Sequence, residues 1–206
     1  MKLFRTPKVF RWIFPRRIWG FSSSEPKVYL TFDDGPTEGL TDWLIEELSK
    51  HDAKATFFCV GENVRRQPNL TKKLIERGHV VANHTMKHEK GTSTSKSEYL
   101  ASIQETSTLI DSKLFRPPYG RMPWTFTKAV SQRYRIIMWT WLSYDFDESV
   151  SVQKIIAQAD RIKAGDILVL HDNKRVEERV KLILPEVIRI VKSKGLHFEV
   201  IPSASS

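Results

Sequence analysis

Residues 27–36 read KVYLTFDDGP, an apolar run that ends in two adjacent carboxylates and a turn. A short, continuous apolar run over 27–31 is typical of a strand that is buried on both faces of a parallel sheet. The Gly-Pro pair after the carboxylates forces the chain to turn. The stretch therefore predicts a buried strand that delivers Asp33 and Asp34 at its carboxyl end.

The same arrangement, a short β-rich run followed by a helical pattern, recurs along the chain. Further strands are predicted at 55–60, 79–82, 114–116, 135–140, 166–170 and 197–201. Helices are predicted at 37–51, 63–77, 97–112, 123–133, 152–163 and 180–194. Pro185 is expected either to kink the last helix or to start a second segment. This alternation indicates an α/β fold with right-handed crossovers between parallel strands.

The position of the polar motifs favours one of two architectures, because an open doubly wound sheet and a barrel both fit the alternation. Polar clusters follow the carboxyl ends of five predicted strands, and in a (β/α) barrel such ends meet at one mouth. The 206 residues suit one domain, and a full eightfold barrel is hard to fit into them. We therefore expect a single α/β domain at 27–201, a distorted or incomplete barrel of about seven parallel strands, with an arm at 1–26 and a tail at 202–206.

The composition is that of an ordinary globular protein, with 40% hydrophobic and 28% charged residues. The net charge of +9 comes mostly from residues 1–27, which hold seven basic residues and one acidic residue. The remainder is nearly neutral, and we expect no nucleic-acid partner. Cys59, the single cysteine, cannot form an internal disulfide and lies in an apolar run, so a buried thiol is predicted.

The N-terminal arm interleaves basic residues with aromatic ones. Arg11, Pro15, Arg16 and Arg17 interrupt its apolar stretch, so neither a cleavable signal peptide nor a transmembrane helix is predicted. Two interpretations stay open: weak contact of residues 1–21 with an anionic membrane surface, or an arm whose aromatic rings pack against the domain. A cytoplasmic or membrane-peripheral location is expected, and nothing in the sequence indicates the oligomeric state.

A pair of histidines at 84–88 (HTMKH) predicts a metal site. Two histidines four residues apart lie on one face of a helix or helical turn, where both imidazoles can bind one metal. Two histidines and one carboxylate are a ligand set that leaves room for water at zinc. Either Asp33 or Asp34 would supply the carboxylate and leave the other as a base. The alternative for the aspartates is helix capping.

Three more clusters follow strand ends. In 116–120 (RPPYG), Arg116 could brace a carboxylate through a bidentate pair while a loop N–H faces negative charge, or the segment is only a rigid turn. In 139–147 (WTWLSYDFD), aromatic rings beside carboxylates suit a sugar, or ordinary core packing. In 168–172 (LVLHD), His171 near an acidic residue such as Asp145 would have a raised pKa and could act as a general acid.

Taken in this order, the five clusters resemble the polysaccharide deacetylase family (NodB homology, carbohydrate esterase family 4) over about 27–201. The TFDDGP and HTMKH blocks carry most of the resemblance. It implies a distorted (β/α) barrel and a site that holds one divalent metal ion, with zinc favoured and cobalt or another divalent ion as alternatives. The implied metal ligands are Asp34, His84 and His88.

The resemblance also implies the roles of the other site residues. The catalytic set would be Asp33 as base, Arg116 as its positioning partner, His171 as general acid and Asp145 as the residue that tunes it. Substrate contacts would come from the backbone N–H of Tyr119, from Pro118 and Phe146, and from Leu170 against the acetyl methyl group.

The expected activity is therefore deacetylation of an N-acetylated glycan. The alternatives are an O-acetyl esterase, a glycosidase that uses Asp33 and Asp34, and a catalytically silent carbohydrate-binding protein. The chain departs from the family pattern where Leu142 stands for an aspartate and Phe146 for a tryptophan, which bears on substrate identity.

Overall fold

The computed structural model describes residues 2–203, in which strands and helices alternate. The strands are β1 Arg17–Ile18, β2 Lys27–Asp34, β3 Ala55–Cys59, β4 Val80–Asn83, β5 Leu114–Phe115, β6 Arg135–Ile137, β7 Trp141–Leu142, β8 Ile167–His171 and β9 His197–Phe198. The helices are α1 Val9–Ile13, α2 Leu40–Lys50, α3 Gly61–Arg66, α4 Pro68–Glu76, α5 Lys96–Thr106, α6 Trp124–Ser131, α7 Val152–Ala159 and α8 Glu177–Ser193.

The strands form one parallel sheet that curls towards closure. Their order is β1-β6-β5-β4-β3-β2-β8-β7, and β9 pairs with β2. Strand β6 pairs with β5 and β7 pairs with β8, yet only residues 138–140 separate β6 from β7. The two ends of the sheet are thus drawn together, and the expected α/β fold, an incomplete (β/α) barrel, is confirmed.

The predicted elements are present, with differences at their ends. Strands β1 and β7, of two residues each, were not predicted. The helix predicted at 63–77 is two helices, α3 and α4. Pro68 begins α4, and the residue before a proline avoids the helical conformation, so Gln67 (φ −126°, ψ 56°) breaks the run. Pro185 lies inside a continuous α8.

Two apolar layers hold the barrel. The larger lies between the sheet and the helices and includes Leu30, Phe32 and Leu170. The inner layer takes one side chain from each of six strands: Tyr29, Phe58, Ala82, Leu114, Ile137 and Ile167. Side chains alternate along β2 and β8 between these layers, so residues two apart share a face. Asp33 therefore lies on the inner face with Tyr29.

The N-terminal arm packs against the domain. Phe4 and Trp19 are buried, and the main-chain groups of Phe4 and Thr6 are hydrogen-bonded to the β7 region. Within residues 2–203, no helix has the length and apolar character needed to cross a bilayer. The boundaries at 26/27 and 201/202 stay predictions, and residues 204–206 of the predicted tail lie outside the described residues.

Candidate active site

The carboxyl ends of the parallel strands bring the five polar clusters to one mouth. In the strand register Asp33 lies opposite His171, and Asp34 lies opposite Cys59. Arg116 follows β5, and its main-chain N–H donates to the carbonyl oxygen of Asn83 at the end of β4. Residues far apart in sequence thus meet because each directly ends or follows a strand.

Asp34, His84 and His88 form a cluster of potential metal ligands. One donor atom from each lies within 4.8 Å of the others. Asp34 Oδ1 is 3.2 Å from His88 Nε2 and 3.7 Å from His84 Nε2. Asp34 has a φ of 80°, so the strand ends on a left-handed residue that turns this carboxylate away from Asp33. The two adjacent aspartates can therefore point in different directions.

The donor set fits a divalent metal. Ligand bonds of about 2.0–2.1 Å in a tetrahedral site place neighbouring donors about 3.3 Å apart, close to the two separations above. Burial raises the pKa of Asp34, but its hydrogen bond with His88 and the nearby histidine charges outweigh burial and lower that pKa below its usual range. An ionised carboxylate beside two imidazoles is the form that binds a metal.

The histidine segment is not helical, and the prediction of a helix or helical turn at 84–88 is wrong. Thr85 and His88 have φ values of 66° and 59°, which no right-handed helix contains. Side chains hold this loop instead: the Thr85 N–H donates to Asn83 Oδ1, and the Met86 N–H donates to Ser102 Oγ. The imidazoles still meet, with ring centroids 5.1 Å apart.

His84 is held as a neutral imidazole. Its Nδ1 lies 2.8 Å from the carbonyl oxygen of Arg116. A carbonyl can only accept, so Nδ1 carries the proton and Nε2 presents its lone pair to Asp34 and His88. Burial lowers the pKa of His84 to about 4, which leaves the ring uncharged at neutral pH.

Asp33 is braced by a fully buried arginine. Arg116 Nη1 donates to Asp33 Oδ1 over 2.6 Å and to Thr31 Oγ1 over 2.7 Å. The expected bidentate pair is absent among these contacts, because the other guanidinium nitrogens donate to the carbonyl oxygens of Ile137 and Met138. One oxygen of Asp33 is thus fixed, while Oδ2 makes no contact with the guanidinium.

The loop after Arg116 presents a backbone amide. Pro117 and Pro118 have no N–H, so the first N–H after Arg116 is that of Tyr119. Tyr119 has a φ of 59° in a tight turn, and its ring lies 4.6 Å from the His88 ring. Gly120 follows with a φ of 64°, and a Cβ there would overlap the Trp139 ring. The loop therefore has little freedom to rearrange.

His171 has the opposite character to His84. Its Nδ1 lies 2.7 Å from Asp145 Oδ1, and its main-chain N–H donates to Asp145 Oδ2. Burial lowers the pKa of His171, but the carboxylate of fully buried Asp145 outweighs burial and raises that pKa to about 9. With Nδ1 engaged, Nε2 is the atom of a protonated ring that is available to donate.

Two exposed aromatic rings flank the mouth, and one predicted contact lies elsewhere. Phe146 is half exposed and its ring lies edge-on 5.1 Å from His171, while Tyr119 is on the side of His88. Pro118 is buried beneath the Tyr119 turn. Leu170 is not brought into the site: it is 0% exposed and packs in the helix-facing layer. Alternation along β8 instead places Val169 on the face of His171.

Sequence reasoning missed two asparagines that hold Asp34. Asn173 Nδ2 donates to Asp34 Oδ2 over 2.6 Å, which leaves Oδ1 towards the histidines. Asn63 Nδ2 donates to the carbonyl oxygen of Asp34 over 2.8 Å. The only available signal was the position of Asn173, two residues after a predicted site histidine at a strand end.

Comparison with known proteins shows which family the chain resembles. The family model for polysaccharide deacetylase matches residues 22–135. A peptidoglycan-N-acetylglucosamine deacetylase of Bacillus cereus is 30% identical over 205 residues, covering 94% of this chain and 74% of the relative. A chitooligosaccharide deacetylase of Bradyrhizobium sp. is 33% identical over 172 residues, covering 76% of this chain and 75% of the relative.

A solved structure extends the likeness to the fold. It is the crystal structure of the Bc1960 peptidoglycan N-acetylglucosamine deacetylase in complex with 4-naphthalen-1-yl-N-oxidanyl-benzamide. The two chains superpose with a TM-score of 0.87 at 29% identity, and 96% of each is covered. With the strand-end motifs, the family model and these similarities in agreement, this chain belongs to the polysaccharide deacetylase family.

Proposed function

We propose that this protein is a metal-dependent hydrolase that removes acetyl groups from N-acetylated sugars of a polysaccharide or oligosaccharide. The observation that carries the proposal is the placement of Asp33. It lies between the potential metal ligands Asp34, His84 and His88 and the protonated histidine His171. Hydrolysis of an amide needs a base, charge stabilisation and an acid in one place, and this mouth offers all three.

Asp34, His84 and His88 would hold one divalent ion, and zinc is favoured by two imidazoles and one carboxylate. Bound there, the ion would supply positive charge that polarises a carbonyl and makes water more acidic. Asn173 would keep Asp34 oriented by engaging Oδ2, so that Oδ1 faces the histidines.

Asp33 would remove the proton from the water that attacks the acetamide carbon. The Arg116 guanidinium fixes Oδ1 of Asp33. Thr31 completes the brace, since its hydroxyl accepts from Arg116 and donates to the carbonyl oxygen of Leu168.

Negative charge on the former carbonyl oxygen would be met by the N–H of Tyr119. His171 would then donate the proton on Nε2 to the sugar nitrogen as the carbon–nitrogen bond breaks, while Asp145 stabilises the imidazolium through Nδ1. The products are acetate and a free amino sugar: the oxygen of the water goes to the acetate, and a proton goes to the sugar nitrogen.

The exposed rings of Tyr119 and Phe146 support a sugar substrate. They lie on opposite sides of the catalytic groups, one against His88 and one against His171, and their faces suit stacking on a pyranose. The named activities of the relatives make a peptidoglycan-like or chitin-like glycan the leading candidate.

Acetate release from N-acetylglucosamine oligomers tests the proposal. We expect release with zinc or cobalt, loss of release after chelation, and recovery when metal is restored. Asp33→Asn should remove turnover while metal stays bound, because Asp33 is not among the three ligands. Normal turnover in Asp33→Asn, or turnover that is indifferent to metal, would contradict the proposal.

An O-acetyl esterase activity remains the alternative from the same site, because attack on an ester needs the same base and charge stabilisation. Comparison of the oligomers with O-acetylated xylan separates the two activities. Faster acetate release from xylan would favour the esterase. Glycan binding without acetate release from either substrate would favour a silent carbohydrate-binding protein.

A further inference from the structure

The positive charge of the chain is concentrated in two segments that lack acidic residues. Residues 1–24 and 112–144 together contain twelve lysines and arginines and no aspartate or glutamate. The rest of the chain holds 21 basic and 24 acidic residues, so these two segments account for the whole positive excess. Such one-signed charge favours an anionic partner.

The fold brings parts of these two segments together. Strand β1 pairs with β6. Arg17 reaches across to donate to the carbonyl oxygen of Met122 and to Thr127 Oγ1. The Phe14 ring lies 6.3 Å from the ring of Trp124 at the start of α6. Residues 14–17 and 122–127, which are about a hundred positions apart in sequence, thereby lie side by side.

Helix α1 presents a second face to solvent. Phe10 and Phe14 pack against buried Trp19, with ring centroids 5.5 and 6.3 Å from that of the indole. Val9, Trp12 and Ile13 follow the i, i+3, i+4 spacing of a different face. They are 51%, 85% and 49% exposed, respectively. Trp124, which is 59% exposed, adds a second large ring next to Phe14.

Exposed cations surround these apolar side chains. Lys8 precedes helix α1, Arg11 lies within it and Arg16 follows it. Lys128 shares a small cleft with Arg16 and Trp124. The hydrogen bonds and ion pairs recorded for residues 2–203 include none from the side chains of Lys8, Arg11, Arg16 or Lys128. The paired cations of this region, Lys2 and Arg5, bind Asp147 and Asp166 elsewhere.

We propose that this region, Val9, Trp12, Ile13 and Trp124 with their surrounding cations, docks on an anionic lipid bilayer. Tryptophan and aliphatic side chains insert at the boundary between headgroups and acyl chains, while lysine and arginine bind anionic headgroups. A soluble polyanion would use the cations but would leave the apolar face in water. The combination favours a bilayer over a polyanion, and it is separate from the catalytic residues.

Vesicle co-sedimentation of the full chain tests this proposal. The probes are vesicles of phosphatidylcholine alone and vesicles with about one-third phosphatidylglycerol. We expect binding to the anionic vesicles that weakens between about 0.1 M and 0.5 M salt. Trp12→Ser with Ile13→Ser should lower the partition coefficient about tenfold, and Lys8→Gln about fivefold.

The matched control is Leu182→Ser, which removes an apolar side chain on helix α8 whose exposure (61%) lies between those of Ile13 and Trp12. It should bind as the unchanged protein does. Acetate release from soluble oligomers should be the same in all these variants, which separates this test from that of the proposed function.

Three results would overturn the bilayer proposal. The first is absence of binding to anionic vesicles at low salt. The second is an equal loss of binding in the Leu182→Ser control. The third is binding that Trp12→Ser with Ile13→Ser leaves unchanged while polyphosphate competes for it, because that result would identify a polyanion site instead.

Discussion

His84 is buried and His171 is partly buried, and an oxygen holds each ring at Nδ1, at 2.8 and 2.7 Å. Their pKa values nevertheless move in opposite directions, to about 4 and about 9. The partner of His84 is the neutral carbonyl oxygen of Arg116, whereas the partner of His171 is the carboxylate of Asp145. Burial lowers both pKa values, and only the carboxylate outweighs it.

The charge of the Nδ1 partner therefore decides whether each ring is neutral or protonated at neutral pH. A neutral imidazole with a free Nε2 lone pair is a metal ligand, and an imidazolium with an Nε2 proton is an acid. One mouth can therefore hold both forms at the same pH. Asp33 lies between them and is braced separately by Arg116.

Loss of a potential metal ligand should have the largest effect on activity. We expect His84→Ala to lose metal binding and to lower kcat/KM by about 10⁴-fold, because the charge supplied at this site is worth several kcal/mol in the transition state. Metal content and acetate release measure the two effects. His79→Ala is a matched control, since His79 is also a buried histidine of low pKa but lies outside the ligand cluster. Full metal occupancy in His84→Ala would contradict the assignment of His84 as a metal ligand.

Neutralisation of Asp145 should lower the pKa of His171 towards that of His84. In the unchanged protein the acid is protonated below pH 9, so kcat should fall as pH rises through about 9. In Asp145→Asn the largest raising contribution is gone, while Asp34 and Asp33 still raise the pKa of His171 against the effect of burial. The alkaline limb should therefore move to lower pH, with kcat at pH 8 lower by about tenfold or more.

The control for this prediction is Asp147→Asn, a carboxylate of the same loop that pairs with Lys2 and does not contact His171. It should keep the original pH profile, and metal affinity should be unchanged in both variants. An alkaline limb that stays near pH 9 in Asp145→Asn would show that Asp145 does not set the charge of His171.

Asn173→Ala should affect only the ligand side. Without the amide on Oδ2, Asp34 can rotate away from the histidines, and we expect metal affinity to fall by ten- to a hundredfold. The rate should recover at saturating metal, because no reacting atom contacts Asn173. Lys174→Ala, at the next position, should leave affinity unchanged. A rate that stays low at saturating metal would instead place Asn173 among the catalytic groups.

The smallest effect is expected for Phe146, which lies at the mouth beside His171. Phe146→Ala removes an exposed ring beside His171, and an aromatic contact is worth about 0.5–1.5 kcal/mol. We expect KM for oligomers to rise about three- to tenfold while kcat changes by less than twofold. Steady-state kinetics check this, and Leu182→Ala is the control. An unchanged KM would remove Phe146 from the substrate contacts.

The convergence of the clusters could be predicted because parallel strands end at one edge, which places Asp33, His84, Arg116 and His171 together whatever the loops do. The loop conformations could not. His88 reaches the metal site through left-handed backbone rather than a helix, and spacing alone does not distinguish these two arrangements.

Individual side-chain hydrogen bonds could not be predicted from the sequence either. Asn173 binds Asp34 across 139 residues of sequence without any repeating pattern. Leu170 illustrates the period of two along a strand: one step along β8 moves a side chain from the site to the helix-facing layer. A motif aligned one residue off therefore names the wrong side chain.

The pH titration of the histidine rings by NMR, in the metal-free protein, tests the central claim most directly. We expect His171 to stay protonated until about pH 9 and His84 to be neutral above about pH 4. Titration of both rings close to the ordinary pKa of 6.5 would contradict it, because partner charge would then not separate the ligand from the acid.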